Sequence, residues 1–252
     1  MRRERDPPAM TVLDPDLLLR AYSIGVFPMA DSRSASEVFW VEPKRRAILP
    51  LAGFRMSRSL RRVIRSPRFQ VSRDTAFAEV VRHCAEREET WINPQIEASY
   101  NLLHRLGHAH SIECRQDGEL VGGLYGVKLG GAFFGESMFS TRADASKVAL
   151  AWLVARLIVG GYALLDCQFM TDHLRSLGAV EIQQKDYVVM LASALGGGVS
   201  GVGSGAGAGT GAGAGEAPEF GALDRLLASL PERAGDSAPP GWVIAQLLGQ
   251  TS

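Results

Sequence analysis

The sequence predicts an α+β protein built around a meander of antiparallel strands, and three observations carry that expectation. Residues 110–116, 119–129 and 132–139 read as strands, and Asp117-Gly118 between the first two is a hairpin signal. Asp144 then opens an apolar segment, 145–159, that is long enough for a helix and too apolar to face water, so it has to lie on a sheet. With 252 residues, 46% of them hydrophobic, the chain can bury a core in one or two domains.

The other elements follow in order. Residues 1–10 are polar, carry Pro7-Pro8, and read as a loose arm. Asp14-Pro15 is an N-cap followed by a first helical position, for a short helix that Gly25 stops. Residues 39–54 are punctuated by proline and read as irregular. Helices are expected from Ser57 to Arg65, from an Asp74 cap to Glu86, and from an Asn93-Pro94 start to Gly107. Beyond 159 the pattern gives a buried strand at 162–167, a helical turn at 171–176, a strand at 180–183 and a helix at 186–194. The run GGGVSGVGSGAGAGTGAGAG over 196–215 has nothing to bury and reads as a linker. Phe220, Leu223, Leu226, Leu227 and Leu230 recur at helical spacing after it and 242–248 is a second apolar stretch, in a tail read as flexible and dispensable, with weak docking or binding of a partner as the alternatives. The linker and tail together span 196–252.

Composition excludes several classes. Positive and negative charges balance at 27 each, so net charge alone implies no polyanionic partner. No run reaches the ~18 apolar residues of a membrane helix, and the charged start MRRERDPPAM is not followed by the apolar stretch of a signal peptide. Cys84, Cys114 and Cys167 are odd in number and widely spaced, which fits reduced thiols of a cytoplasmic protein, and no Cys/His cluster has metal-ligand spacing.

The local distribution of charge is more telling. Arg58, Arg61, Arg62 and Arg65 stand at i, i+3, i+4 and i+7, on one helical face with Leu60, Val63 and Ile64 opposite. From Trp40 to Arg73 ten basic residues, Arg46 among them, face a single acid, Glu42. A solvated face normally mixes signs, so phosphate contact is the alternative reading. Trp91 and Tyr100, with Phe39 and Trp40 upstream, are either core aromatics or surfaces for a base or an amino-acid side chain. The glycines of Gly122-Gly123-Leu124-Tyr125-Gly126 and Gly130-Gly131 imply bulges or the close approach of backbone or ligand. Glu136 is a lone carboxylate in an apolar strand and needs a partner, either a salt bridge or an amine ligand. Asp166 and Gln168 end an apolar strand, and alternation sends both to one face.

These residues sit in segments that, taken together, resemble a known family. FPMAD (27–31), FWVEP (39–43), TWI (90–92), GHAHSIE (107–113), LVGGLYGV (120–127), FFGESMFS (133–140), ASK (145–147), DCQ (166–168) and HLRSLGA (173–179) keep the order and approximate spacing of the bacterial leucyl/phenylalanyl-tRNA–protein transferases. The resemblance covers about residues 11–192. It implies an α+β fold with a small N-terminal domain, over 1–54, joined to a mixed-sheet domain, over 55–195, related to the acetyltransferase (GNAT) superfamily, with no cofactor and no metal. The implied activity moves Leu or Phe, and Met less well, from aminoacyl-tRNA to proteins that begin with Arg or Lys, marking them for degradation. The implied catalytic pair is Asp166 and Gln168, with Glu136 as the active-site glutamate. Trp91, Tyr100, Leu124, Phe133 and Leu165 fall on positions that shape the pocket for the donor, with Trp40 nearby. Thr171 stands where some members carry Asn. The arginine face becomes the tRNA contact, and a monomer is expected. Two other readings compete: an acyl-CoA-dependent acetyltransferase, against which SMFSTRADASK before the helix at Ala145 lacks the usual pyrophosphate loop, and a non-catalytic RNA-binding module, which leaves Glu136, Asp166 and Gln168 unexplained.

Overall fold

A computed structural model describes residues 12–196, 217–230 and 240–249. The loose arm and nearly all of the Gly/Ala-rich run lie outside the described residues. A seven-stranded mixed sheet organises the chain, in the order β4-β5-β6-β7-β8-β3-β9. Its strands are β3 (Arg45–Ile48), β4 (Gln70–Arg73), β5 (Ala109–Gln116), β6 (Glu119–Leu129), β7 (Ala132–Ser140), β8 (Leu164–Gln168) and β9 (Val180–Gln183). β7 and β8 pair in parallel, and the other neighbours are antiparallel. A two-stranded ribbon, β1 (Phe27–Met29) and β2 (Phe39–Val41), stands apart from this sheet.

Helices cover both faces. α5 (Ala145–Val159) lies on one, with α2 (Arg58–Arg65) beside it, and α1 (Pro15–Ser23), α3 (Phe77–Ala85), α4 (Pro94–Arg105) and α7 (Gln184–Ala194) pack on the other. The caps read from sequence close several of them. Asp14, Ser57 and Asn93 each accept a backbone N–H of the first turn, and Asp117 and Gly118 both take positive φ in the β5–β6 turn. Two of the strand glycines give room to neighbours rather than to a ligand. A Cβ on Gly122 would lie 2.5 Å from that of Ala145 in α5, and one on Gly126 would strike the Phe133 ring.

Three expectations are corrected. The proline-rich stretch 39–54 contains β2 and β3, and β3 lies between β8 and β9, so residues 45–48, expected in an N-terminal domain ending at 54, belong to the large sheet. Prolines bracket these short strands without interrupting them, which is what hid them. Asp74 does not cap α3. It takes φ +59° and accepts the Ser111 backbone N–H at 2.9 Å, with His110 Nδ1 2.7 Å away, and so ties β4 to β5.

The third correction concerns the tail. α8 (Ala222–Ala228) and α9 (Pro240–Leu247) dock on the outer side of α5 and α2, where Phe220, Leu223, Ile244 and Leu248 are buried. Phe220 stacks on Phe133 at 5.4 Å and on His110 at 4.2 Å. Arg156 of α5 forms a two-pronged pair with Asp224 (2.6 and 2.7 Å), which Arg73 joins at 2.9 Å. Burial pushes the Asp224 carboxyl up, but Arg156 and Arg73 more than offset it and hold it below its usual range. α5 is buried almost all round, so it needs a second cover beyond the sheet. Nothing local to the tail could reveal this, because Asp224 and Arg156 are 68 residues apart. A chain ending at residue 196 is therefore expected to fold with lower stability, as Arg156 and Phe133 lose their partners. Phe220→Ala alone is expected to cost about 3–5 kcal/mol in urea unfolding, and an unchanged midpoint would contradict this role for the tail.

Candidate active site

β7 and β8 run side by side only from Ala132–Leu164 to Phe134–Asp166. Beyond that register they part, and the split holds a cavity of about 80 Å³. Leu124, Met138, Leu150, Leu153, Leu165 and Leu174 make its apolar wall, and Glu136 with Ser137 its polar side.

Glu136 is 7% exposed and reaches three partners. It accepts from Tyr22 Oη at 2.7 Å, Tyr100 Oη at 2.8 Å and Gln168 Nε2 at 2.9 Å, while the two phenol oxygens are 2.5 Å apart. Three short oxygen–oxygen contacts call for three protons, and two phenols supply two. The third is present when Glu136 is a neutral acid, which then donates to one of the phenols it otherwise accepts from. Burial raises the Glu136 carboxyl to about 7, against the pull of its three donors. Burial first, and the charged form of Glu136 second, push both phenols well above their usual range, so both stay protonated.

Asp166 is fully buried and is claimed by its neighbours. Arg46 Nε donates to both carboxylate oxygens (2.9 and 3.0 Å) and Nη2 to one of them at 2.6 Å, while Tyr187 Oη adds a bond of 2.7 Å. The guanidinium lies between the rings of Phe27 and Tyr187 and also donates to the Gly25 carbonyl at 2.8 Å. The remaining lone pair of Asp166 accepts the Gln168 backbone N–H at 2.8 Å. That bond holds Gln168 at φ +62°, a left-handed conformation that costs a non-glycine residue about 1–2 kcal/mol. With Nε2 given to Glu136, Gln168 Oε1 accepts no hydrogen bond among the described residues, and Tyr125 Oη at the same cavity is buried without a partner.

The structure thus brings Glu136, Gln168, Tyr100, Leu124 and Leu165 together, and places Asp166 behind Gln168. Other expected site residues lie elsewhere. Phe133 is core, stacked on Phe220, and is not among the residues that line the cavity. Trp91 stands edge-on behind Tyr100 at 6.5 Å, Trp40 is 40% exposed on β2, and Thr171 caps the short helix α6 (Asp172–Ser176) through Leu174 N. Arg46 is not part of a surface charge cluster, and Arg45 pairs with Glu181 at 2.6 Å. Arg58, Arg61, Arg62 and Arg65 are exposed on α2, away from the cavity-lining residues. Tyr22, Arg46 and Tyr187 escaped the sequence reading. The only trace of Arg46 is its place against the apolar Ala47-Ile48-Leu49, and of Tyr22 its place on the apolar stripe of α1.

Two family models match the chain: the leucyl/phenylalanyl-tRNA protein transferase N-terminal domain over 12–44, and leucyl/phenylalanyl-tRNA protein transferase over 48–192. A leucyl/phenylalanyl-tRNA–protein transferase of Rhizorhabdus wittichii is 64% identical over 249 residues, covering 96% of this chain and all of that protein. One from Novosphingobium aromaticivorans is 53% identical over 95% of this chain and 97% of its own length, and one from Zymomonas mobilis is 61% identical over 73% and 70%. An alignment over 96% of the chain takes in most of the tail as well. A GCN5-related N-acetyltransferase-like protein from Streptococcus suis, 15% identical over 66% of this chain and 65% of that one, superposes with a TM-score of 0.30, too low to weigh on fold or chemistry. The mixed sheet and its cavity are thus those of an aminoacyltransferase. The chain belongs to the leucyl/phenylalanyl-tRNA–protein transferase family.

The raised Glu136 carboxyl has a consequence for stability. Between its unfolded value near 4.5 and about 7 the folded state binds more protons than the unfolded state, so this group's contribution falls as pH rises through that window. Glu136→Gln mimics the neutral acid and removes this slope. The variant is expected to gain on the natural protein by on the order of 2–3 kcal/mol from pH 4.5 to above 7. Parallel unfolding curves in urea would contradict a neutral Glu136.

Proposed function

We propose that the cavity between β7 and β8 receives the side chain of an amino acid carried by tRNA, and that this amino acid passes to the α-amine of a protein beginning with Arg or Lys. The carrying observation is an apolar wall of leucines and Met138 closed at its polar side by Glu136, with Gln168 bonded to that carboxyl. A wall of this kind suits Leu, Phe or Met. It disfavours a β-branched or smaller side chain by about 1–3 kcal/mol per misfitting methylene. Trp91, behind Tyr100, is proposed to support the donor's terminal adenosine, and the α2 arginines to contact tRNA phosphates. The product carries a new N-terminal residue that marks it for degradation.

The ester bond to tRNA is already activated, so no nucleotide is consumed. The nucleophile is an α-amine with a free pKa near ~7.7–8.0, partly neutral at neutral pH. Catalysis is then mainly the holding of amine against ester carbon. Gln168 Oε1, free of protein donors, accepts an N–H of the attacking amine and so directs its lone pair. Asp166 acts through Gln168. Its carboxylate is spent on Arg46, Tyr187 and the Gln168 N–H, which makes it a positioning residue rather than a proton sink. Tyr22, Tyr100 and Glu136 form a closed hydrogen-bonded ring that accepts or releases a proton with little rearrangement, suited to passing the amine's proton toward the departing ribose oxygen.

Labelled Leu is expected to pass from Leu-tRNA to an Arg-starting peptide without ATP and in EDTA, and failure in EDTA would refute the cofactor-free reading. Gln168→Ala is expected to lower the transfer rate ~10²–10⁴-fold at unchanged melting temperature. Asp166→Asn should lower both the rate and the melting temperature. A folded Asp166→Asn protein with a normal rate removes that residue from the mechanism.

A further inference from the structure

The basic face of α2 does not stand alone. Arg55, Arg58, Arg61, Arg62, Arg65 and Arg68 are all exposed, and none has a carboxylate partner among the described residues. Elsewhere Arg33, Arg45, Arg46, Arg73, Arg82, Arg115, Arg156 and Arg175 each have one, and those without one among the described residues, Arg20, Arg87, Arg105 and Arg142, are scattered rather than grouped along one helix. Against this cationic stripe lies α9, from the tail. The two helices nearly touch, because Gly241 sits over the Ile64 carbonyl where any side chain would collide. That contact places Trp242, in the first turn of α9, beside the stripe. Its indole is 5.9 Å from the Arg65 guanidinium, yet 41% of it is exposed. At the other end of α9, Gly249 lies alongside the Arg61 guanidinium.

An exposed indole among unpaired arginines is a poor arrangement for a plain solvent face, since it leaves apolar area open and like charges close. It is a good one for nucleic acid. Arginines meet phosphates, and a flat aromatic meets the face of a base, with little dependence on sequence. We propose that α9 is part of the tRNA-contacting surface, with the Trp242 indole as a stacking platform for an exposed base beside the α2 arginines. This rests on the reading of the α2 face as the tRNA contact. The tail is then a binding element as well as a structural cover, and Gly241 is the residue that lets it come close enough.

The test compares Trp242→Ala, Trp242→Leu, Trp242→Phe and Arg62→Gln in the full chain, measuring affinity for Leu-tRNA across a salt series, and melting temperature. Arg62→Gln is expected to weaken binding and reduce the salt slope by roughly one unit. Trp242→Ala is expected to weaken binding at least about fivefold with the salt slope unchanged, and Trp242→Phe to retain most of the affinity. Trp242→Leu keeps the apolar contact with α2 but offers no ring. Loss of affinity in this variant at an unchanged melting temperature separates stacking from support of the helix. If Arg62→Gln weakens binding while all three Trp242 variants bind normally, the proposal fails and the α2 reading stands. If neither position affects binding, both fail. Normal tRNA affinity with a raised KM for the acceptor peptide would assign this surface to the protein substrate and overturn the proposal.

Discussion

The ion pair between Arg46 and Asp166 is the constraint on which the rest of the molecule depends. Its partners come from the early strand β3 and the late strand β8, 120 residues apart, and both are essentially inaccessible to water. Such a pair adds little net stability, because desolvating two charges consumes most of their attraction. Its value is specification. Arg46 accepts no substitute geometry: two nitrogens meet the carboxylate, a third meets Gly25 in the turn after α1, and Phe27 and Tyr187 close on its faces. One side chain therefore sets the N-terminal ribbon, the central strand and α7 relative to one another. Asp166 carries that register into the site, through the single bond that keeps Gln168 left-handed.

The site is then a question of what is left unbonded. Among the described residues, two polar atoms at the cavity are left over: Tyr125 Oη, which is buried without a partner, and Gln168 Oε1, which accepts no hydrogen bond. Low dielectric makes each interaction there strong, and it makes the unpartnered Tyr125 hydroxyl costly unless a ligand meets it. The raised carboxyl of Glu136 fits the same logic. A charged Glu136 would face Asp166 across Gln168 with no cation of its own, whereas a neutral one completes a ring with Tyr22 and Tyr100 and leaves the pocket's charge to be decided by the ligand.

What was legible in the sequence was local. The β5–β6–β7 meander, the helix starts at Asp14, Ser57 and Asn93, and the burial of α5 follow from alternation, turn residues and caps, all signals spanning a few positions. Glu136, Asp166 and Gln168 stood out as polar groups in apolar strands, so they too were visible. Their partners were not. Arg46 looked like one more charge in a basic run, Tyr22 like an ordinary core aromatic, and Phe133 like a pocket wall, because sequence gives no sign of which face of a twisted, bulged sheet meets which helix. The seat of the tail was hidden for the same reason. Its helical spacing was plain, but the surface it covers belongs to α2, α5, β5 and β7.

The tail's attachment has an unusual topology. A run of about twenty residues, nearly all Gly, Ala, Ser or Val, joins α7 to a segment that is buried at Phe220, Leu223, Ile244 and Leu248. Because the connection is covalent, it holds the segment near its seat at a raised effective concentration. Grip and tether are then separable properties: the segment needs only a weak intrinsic affinity to remain seated. A break in that run would leave a two-piece protein whose halves recognise each other through Arg156, Asp224 and the Phe220 stack, with assembly set by concentration alone.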